Sequence, residues 1–99
     1  MQSKYPQKKM KNPTFKDSRL YLFPKARKNN PLWGYYLEDL EDGTLRLRCG
    51  QGGTLALYNE KKKLLRIINK YWLDSPEALE VLYKMIKVLN LRLSQLRLR

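Results

Sequence analysis

Two runs of residues that favour β-strands flank the dipeptide Asp42-Gly43. The first run, 32–40, is rich in aromatic residues, and the second, 44–49, alternates apolar and polar side chains with a period of two. An Asp-Gly pair between such runs indicates a β-hairpin, because both residue types tolerate the backbone angles of a tight turn. The chain is therefore expected to contain an antiparallel sheet.

Shorter strand-like runs lie on either side of this hairpin, at 19–23 and at 54–58. The first is apolar and aromatic and ends at a proline, and the second follows a glycine-rich loop. Together with the hairpin they predict an antiparallel sheet of three to four strands over about 19–58.

The hydrophobic period changes at Asn59. Beyond it, apolar residues recur at the spacing of one helix face, at Leu64, Ile67, Ile68, Tyr71 and Trp72. This predicts a helix over about 60–73, with Asn59 as its N-cap. Ser75-Pro76 is typical of a new helix start and predicts a second helix over about 76–96. Strands followed by helices predict an α+β domain with the sheet packed by two C-terminal helices.

The first 16 residues differ from the rest of the chain. They contain five lysines and two prolines and have no apolar periodicity. This composition predicts a flexible basic N-terminal arm over 1–16, followed by a single α+β domain over 17–99.

The charge of the chain is strongly unbalanced. Twenty-one Lys and Arg residues face nine Asp and Glu residues, and the formal net charge is +12. The excess lies mainly in 1–30, with nine basic residues and one acidic residue, and in 60–99, with ten basic and four acidic residues. A chain this basic repels itself, so an anionic partner is expected beside it. The partner class that fits best is nucleic acid, and single-stranded DNA or RNA fits better than a duplex.

Several kinds of chemistry are excluded or disfavoured by the composition. The chain contains no histidine, which removes His-based general bases and His metal ligands. A four-residue acidic group, Glu38, Asp39, Glu41 and Asp42, is the one candidate for a metal-dependent nuclease, but a solvated hairpin tip explains it more simply. We therefore expect a non-enzymatic protein with no cofactor and no metal.

The single cysteine, Cys49, allows no intrachain disulfide, which fits a reducing compartment. No apolar run reaches the roughly 18–20 residues that a membrane span needs. An intracellular setting is expected (cytoplasm, nucleoid or nucleus), with no membrane partner.

A two-residue turn at Asp42-Gly43 would place Leu40 opposite Leu45 and Leu37 opposite Arg48. Side chains alternate along strands, so this register would put Trp33, Tyr35, Arg46 and Arg48 on one face, with Tyr36 on the core side. An aromatic face with arginines suits stacked bases and phosphates. The residues expected to bind nucleic acid are Lys8, Lys9, Lys11, Lys16, Lys25, Arg27, Lys28, Trp33, Tyr35, Arg46, Arg48, Lys61, Lys62 and Lys63.

A second reading concerns the final predicted helix. Its apolar face is broad and includes Val81, Met85 and Val88, more than a small core obviously needs. The alternative function is a protein-interaction or assembly module, a homodimer or a subunit of a larger complex. In that case the C-terminal helix would dock the partner, and the basic surface would bind an acidic protein.

Overall fold

The computed structural model describes residues 15–92 and the backbone of residues 97 and 98. The class is α+β, as the sequence predicts, but the antiparallel sheet has five strands and not the predicted three to four, because the segment after Asn59 adds a strand. Five consecutive antiparallel strands form a meander in which each strand pairs with the next. These strands are β1 (Arg19–Tyr21), β2 (Tyr35–Asp39), β3 (Thr44–Cys49), β4 (Ala56–Asn59) and β5 (Leu64–Ile67).

A two-residue strand, β6 (Arg97–Leu98), pairs in parallel with β5 at the edge of the sheet. One α-helix, α1 (Ala78–Val88), and one 3-10 helix (Lys70–Asp74) lie between β5 and β6 in the chain. Among the described residues, no helix has the length and apolar character that a membrane crossing requires.

The prediction of a helix over about 60–73 is wrong. The segment forms a turn, then β5, then the 3-10 helix. Lys63 closes the turn with a left-handed backbone φ of 52°, and the Asn59 side chain accepts a hydrogen bond from the Lys62 amide at 2.8 Å. The apolar residues of β5 satisfy both a helical and a strand period, and pairing with β4 decides between them.

The second predicted helix is shorter than 76–96. It begins at Ala78 and ends at Val88, because Asn90 adopts a left-handed φ of 58°. The amide of Asn90 donates to the carbonyl of Lys87 at 3.1 Å, and that of Leu91 donates to Ile86 at 3.0 Å. This is the Schellman arrangement that terminates helices at an Asn or Gly.

The hairpin at Asp42-Gly43 exists, but its register differs by one residue from the prediction. Asp39 pairs with Leu45 and Leu37 pairs with Leu47, so the loop has three residues, 41–43. Gly43 has a φ of 87°, which only a glycine adopts readily. Since side chains alternate along a strand, the shift of one residue exchanges the two faces of β2, whereas β3 keeps Leu45 and Leu47 on the core side as predicted.

One face of the sheet carries the core. Leu37, Leu45 and Leu47 are at most 2% exposed and pack with Tyr35, Tyr58 and Leu65. The 3-10 helix contributes Trp72 to this core, and α1 contributes Ala78, Val81 and Met85. Both helical elements therefore cover the same face of the sheet.

A buried hydrogen-bonded chain fixes the helices to the sheet. The indole Nε1–H of Trp72 donates to the hydroxyl of Tyr35 at 2.8 Å, and that hydroxyl donates to the Glu77 carboxylate at 3.1 Å. The Asn69 side chain accepts from the Trp72 amide and caps the 3-10 helix. The Tyr35 hydroxyl thus forms a hydrogen bond with Trp72 of the 3-10 helix and another with Glu77 at the start of α1.

Replacing Tyr35 by Phe will lower the free energy of unfolding by about 1–3 kcal/mol, because the buried indole N–H loses its acceptor. Urea unfolding followed by circular dichroism measures the change. The matched control is Tyr21→Phe on the exposed side of β1, which is expected to shift stability by less than about 0.5 kcal/mol. Equal effects from the two substitutions would contradict the structural role of Tyr35.

The buried hydroxyl of Tyr35 should also make the folded protein less stable at alkaline pH. Burial raises the pKa of Tyr35 to about 12, above the ordinary value near 10. The neutral phenol is therefore favoured in the folded state. The contribution of the Tyr35 hydroxyl to the free energy of unfolding is complete below about pH 10, the pKa of tyrosine in the unfolded state. It is lost as the pH rises from there through about 12. The stability advantage of the wild type over Tyr35→Phe should shrink over this interval, and a constant difference from pH 8 to 12 would contradict the shift.

Candidate nucleic-acid interface

The face of the sheet opposite α1 carries arginines and tyrosines. We call it the open face, because no helix of the described residues covers it. Strand pairing aligns one residue from each of β1 to β5 in a row across it, namely Arg19, Glu38, Arg46, Leu57 and Arg66. A second, shorter row beside it contains Tyr21, Tyr36 and Arg48.

The first row extends for about 19 Å, since it crosses four inter-strand spacings of about 4.8 Å each. Arginines occupy both of its ends and its centre, and Glu38 is its one acidic member. Arg19 and Arg66 are exposed, and Arg46 is partly exposed. The row therefore presents guanidinium groups to solvent across the full width of the antiparallel sheet.

Glu38 orients the arginines beside it. Its carboxylate accepts a hydrogen bond from Arg46 Nε at 3.0 Å and a second, shorter one from the same guanidinium. Arg48 lies 3.9 Å from the same carboxylate oxygen. The hydrogen bond from Arg46 is the main reason why the pKa of Glu38 lies below its ordinary value. Glu38 therefore stays ionised and holds two guanidinium groups in a fixed place.

Tyr36 lies beneath these cations and is only 1% exposed. The guanidinium of Arg19 sits 4.6 Å above its ring centroid, and that of Arg48 sits at 6.0 Å. The Tyr21 ring packs at 5.2 Å between centroids with a tilt of 47°. Cation–π attraction and ring packing thus give the open face a small apolar layer of its own.

Arg48 is also tied to the loop that follows β3. Its Nε donates to the carbonyl of Gly52 at 3.0 Å. Arg19 donates weakly to the Tyr21 hydroxyl at 3.4 Å, and this contact is the main reason why the pKa of Arg19 is raised. Both arginines are therefore partly ordered before any ligand arrives.

An aromatic groove adjoins one end of the open face. It has a volume of about 530 Å³, and its walls include Tyr21, Phe23, Trp33 and Tyr36. Trp33 is 42% exposed, and Lys28 lies 6.0 Å from the centre of its ring system. The groove thus combines accessible aromatic rings with neighbouring positive charge.

Four of the residues expected to bind nucleic acid divide between the two faces. Arg46 and Arg48 do lie together on the open face, and Trp33 borders it at the groove. Tyr35 does not, because it is 3% exposed and lies in the core. The one-residue register difference puts Tyr36 where Tyr35 was expected.

The predicted lysines are more scattered. Lys25, Arg27 and Lys28 are exposed in the loop between β1 and β2, and Lys16 is exposed at a bridge that precedes β1. Of the lysines predicted to bind, the other three that the structure describes are Lys61, Lys62 and Lys63, and all three are exposed.

Lys61, Lys62 and Lys63 form the turn between β4 and β5, so the expected helix N-terminus beside them does not exist. The arm predicted over 1–16, with Lys8, Lys9 and Lys11, falls outside the described residues except for Phe15 and Lys16. Within residues 15–92, the predicted basic residues therefore lie on the open face, in the loop between β1 and β2, and in the turn between β4 and β5.

Besides Tyr36, three residues of the open face were not among those expected from the sequence to bind: Arg19, Tyr21 and Arg66. Arg19 and Tyr21 alternate with apolar residues in the first strand, and Arg66 interrupts an apolar run that also satisfies the helical period. The alternation around Arg19 was an available signal. Arg66 joins the row only because its segment is a strand.

The acidic hairpin tip shapes the turn. Asp39 accepts from the Glu41 amide at 2.8 Å, and Asp42 accepts from the Thr44 amide at 3.0 Å. Within residues 15–92, no group of three or more metal-ligating side chains is positioned to hold an ion. Cys49 is partly buried, which raises its pKa, and its thiol lies 3.5 Å from the carbonyl of Trp33.

No family model, curated protein or solved structure matches this chain. Function is therefore inferred from its own side chains.

Proposed function

We propose that this chain is a non-enzymatic nucleic-acid-binding protein that holds single-stranded DNA or RNA on the open face of its sheet. The observation that carries the proposal is the row of Arg19, Arg46 and Arg66 beside the accessible aromatic groove. Guanidinium groups bind phosphates well, because their planar donors match phosphate oxygens.

The single-strand preference follows from the rings. Bases of an unpaired strand have free π-faces that stack on aromatic side chains, whereas the bases of a duplex are stacked on each other. Tyr21 and Trp33 are 47% and 42% exposed beside the arginines. A duplex would use the arginines but leave these rings without bases.

The net charge of +12 supports the same partner class. It provides long-range attraction to any polyanion, including an acidic protein. What distinguishes nucleic acid is the combination of arginines and exposed rings on one surface. An acidic peptide would use the charges and gain nothing comparable from the rings.

The double substitution Arg19→Gln/Arg66→Gln tests the row and leaves the Glu38–Arg46 pair intact. Affinity decreases with salt, and each phosphate contact of a single strand adds about 0.7 to the magnitude of the slope of log affinity against log salt. Loss of two contacts should therefore reduce that magnitude by about 1.4. Fluorescence polarisation with a labelled oligonucleotide at several salt concentrations measures it.

The matched control is Lys70→Gln/Lys87→Gln, which removes the same charge from exposed positions in the two helical elements. Its slope should stay within about 0.3 of the wild type. Equal losses in the two variants would show attraction by net charge alone and would contradict an interface on the open face. A wild-type affinity that does not change with salt would contradict nucleic-acid binding altogether.

Replacing Glu38 by Gln should strengthen oligonucleotide binding by about two- to fivefold, since it removes the one acidic side chain in the row. The same titration measures the gain. Asp42→Asn at the hairpin tip removes one negative charge away from the row and serves as the control. A loss of affinity in Glu38→Gln would mean that the orienting role of this carboxylate outweighs its charge.

A second candidate function is an assembly module. Of the three residues expected to dock a partner, Val81 and Met85 are fully buried in the chain's own core, and Val88 is partly buried and packs against it. Leu79 and Tyr83, one turn apart on α1, are instead 62% and 55% exposed and favour self-association through the helix. A tight homodimer in light scattering that ignores oligonucleotides, or equal affinity for poly-glutamate, would favour this candidate.

A further inference from the structure

The aromatic groove has a composition that suits one particular kind of ligand. Besides its rings, its walls contain Arg19 as their one charged residue. A volume of about 530 Å³ lies within the range of about 300–1,000 Å³ that is usual for small-molecule sites. A ligand that fits these walls has a flat ring and carries negative charge.

Two glycines leave part of the wall as bare backbone. The amide of Gly50 donates to the carbonyl of Gly34 at 3.0 Å, which joins the start of β2 to the end of β3. Gly34 has a φ of 90° and Gly50 a φ of 57°, conformations that residues with a Cβ rarely adopt. Neither glycine places a side chain of its own in the groove, and the hydroxyl of Tyr36 donates to the Gly50 carbonyl at 3.4 Å, so the wall at this point is backbone beside an aromatic ring.

Trp33 is held in place before any ligand binds. Its amide donates to the carbonyl of Asn30 at 2.9 Å, and the Asn30 side chain accepts from the Leu32 amide at 2.9 Å. The indole is thus presented by a turn whose backbone is already ordered. Less conformational entropy is lost on stacking than for a ring on an unstructured loop.

We propose that the groove is a nucleotide pocket, in which one unpaired base of the bound strand lies against Trp33 while its phosphates continue onto the arginines. This rests on the proposed function, since the strand reaches the groove along the open face. Arg19 belongs to both features: it lines the groove and begins the arginine row. Tyr21 likewise lines the groove from the second row.

The test compares two oligonucleotides of equal length and charge, one of thymidines and one built from abasic sites. Wild-type protein should bind the base-bearing strand more tightly, by about 5- to 150-fold for one stacked base. Trp33→Ala should lose most of this preference and keep its affinity for the abasic strand. Trp33→Phe, which retains a ring, should restore much of it.

The control is Tyr71→Ala, which removes an exposed ring from the 3-10 helix. It should leave both affinities unchanged. Circular dichroism confirms that each variant is folded. If Trp33→Ala lowers the affinity for both strands equally, or for neither, the pocket assignment is wrong, while the proposed binding to the arginine row is unaffected. Absence of salt-dependent binding to either strand overturns the proposed function itself.

A final arm separates a base within a strand from a free nucleotide. Quenching of Trp33 fluorescence is measured with a mononucleotide and with the thymidine strand; Trp72 is 7% exposed and contributes a nearly constant background. The strand should quench at a concentration at least about tenfold lower, because its other phosphates engage the arginines. Equal affinities would make the groove a free-nucleotide site and overturn its assignment to a strand.

Discussion

The pairing of β2 with β3 is the contact on which the rest of the molecule depends. It places Leu37 opposite Leu47 on one face and Glu38 opposite Arg46 on the other. Since side chains in a strand alternate, a single register decides at once which residues form the core and which meet solvent. The helices then have one apolar face to cover, and the arginines of neighbouring strands fall into line on the opposite face.

The hairpin illustrates how far the sequence alone leads. Asp42-Gly43 and the alternation of 44–49 located the turn and its return strand correctly. They did not determine whether two or three residues form the loop, and that difference of one residue moved Tyr35 into the core and Tyr36 onto the open face. The side chain of Asp42, which accepts from the Thr44 amide, stabilises the longer loop through local geometry that a dipeptide pattern does not encode.

Longer-range pairing explains the larger error. The segment around Leu64 and Ile67 has apolar positions that fit a helix, and its lysine-rich start resembles a solvated helical turn. Pairing with β4 overrides that local preference, because it satisfies the backbone and buries Leu65 in the core. Asn90, by contrast, was a local signal for the end of α1, since asparagine tolerates the left-handed conformation that terminates a helix.

A carboxylate within an arginine row is compatible with binding a polyanion. Without Glu38, Arg46 would lose its hydrogen-bonded partner, and no carboxylate would offset the repulsion between the guanidinium groups of Arg46 and Arg48. With it, both are held close to one oxygen, and Arg48 also lies over the ring of Tyr36. Ordering these side chains in the free protein reduces the entropy that is lost when phosphates arrive. The carboxylate of Glu38 removes one positive charge from the net charge of the row. Among the described residues, however, it forms no salt bridge with Arg19 or Arg66 at the ends of the row. These two arginines are exposed and can bind the phosphates of a strand.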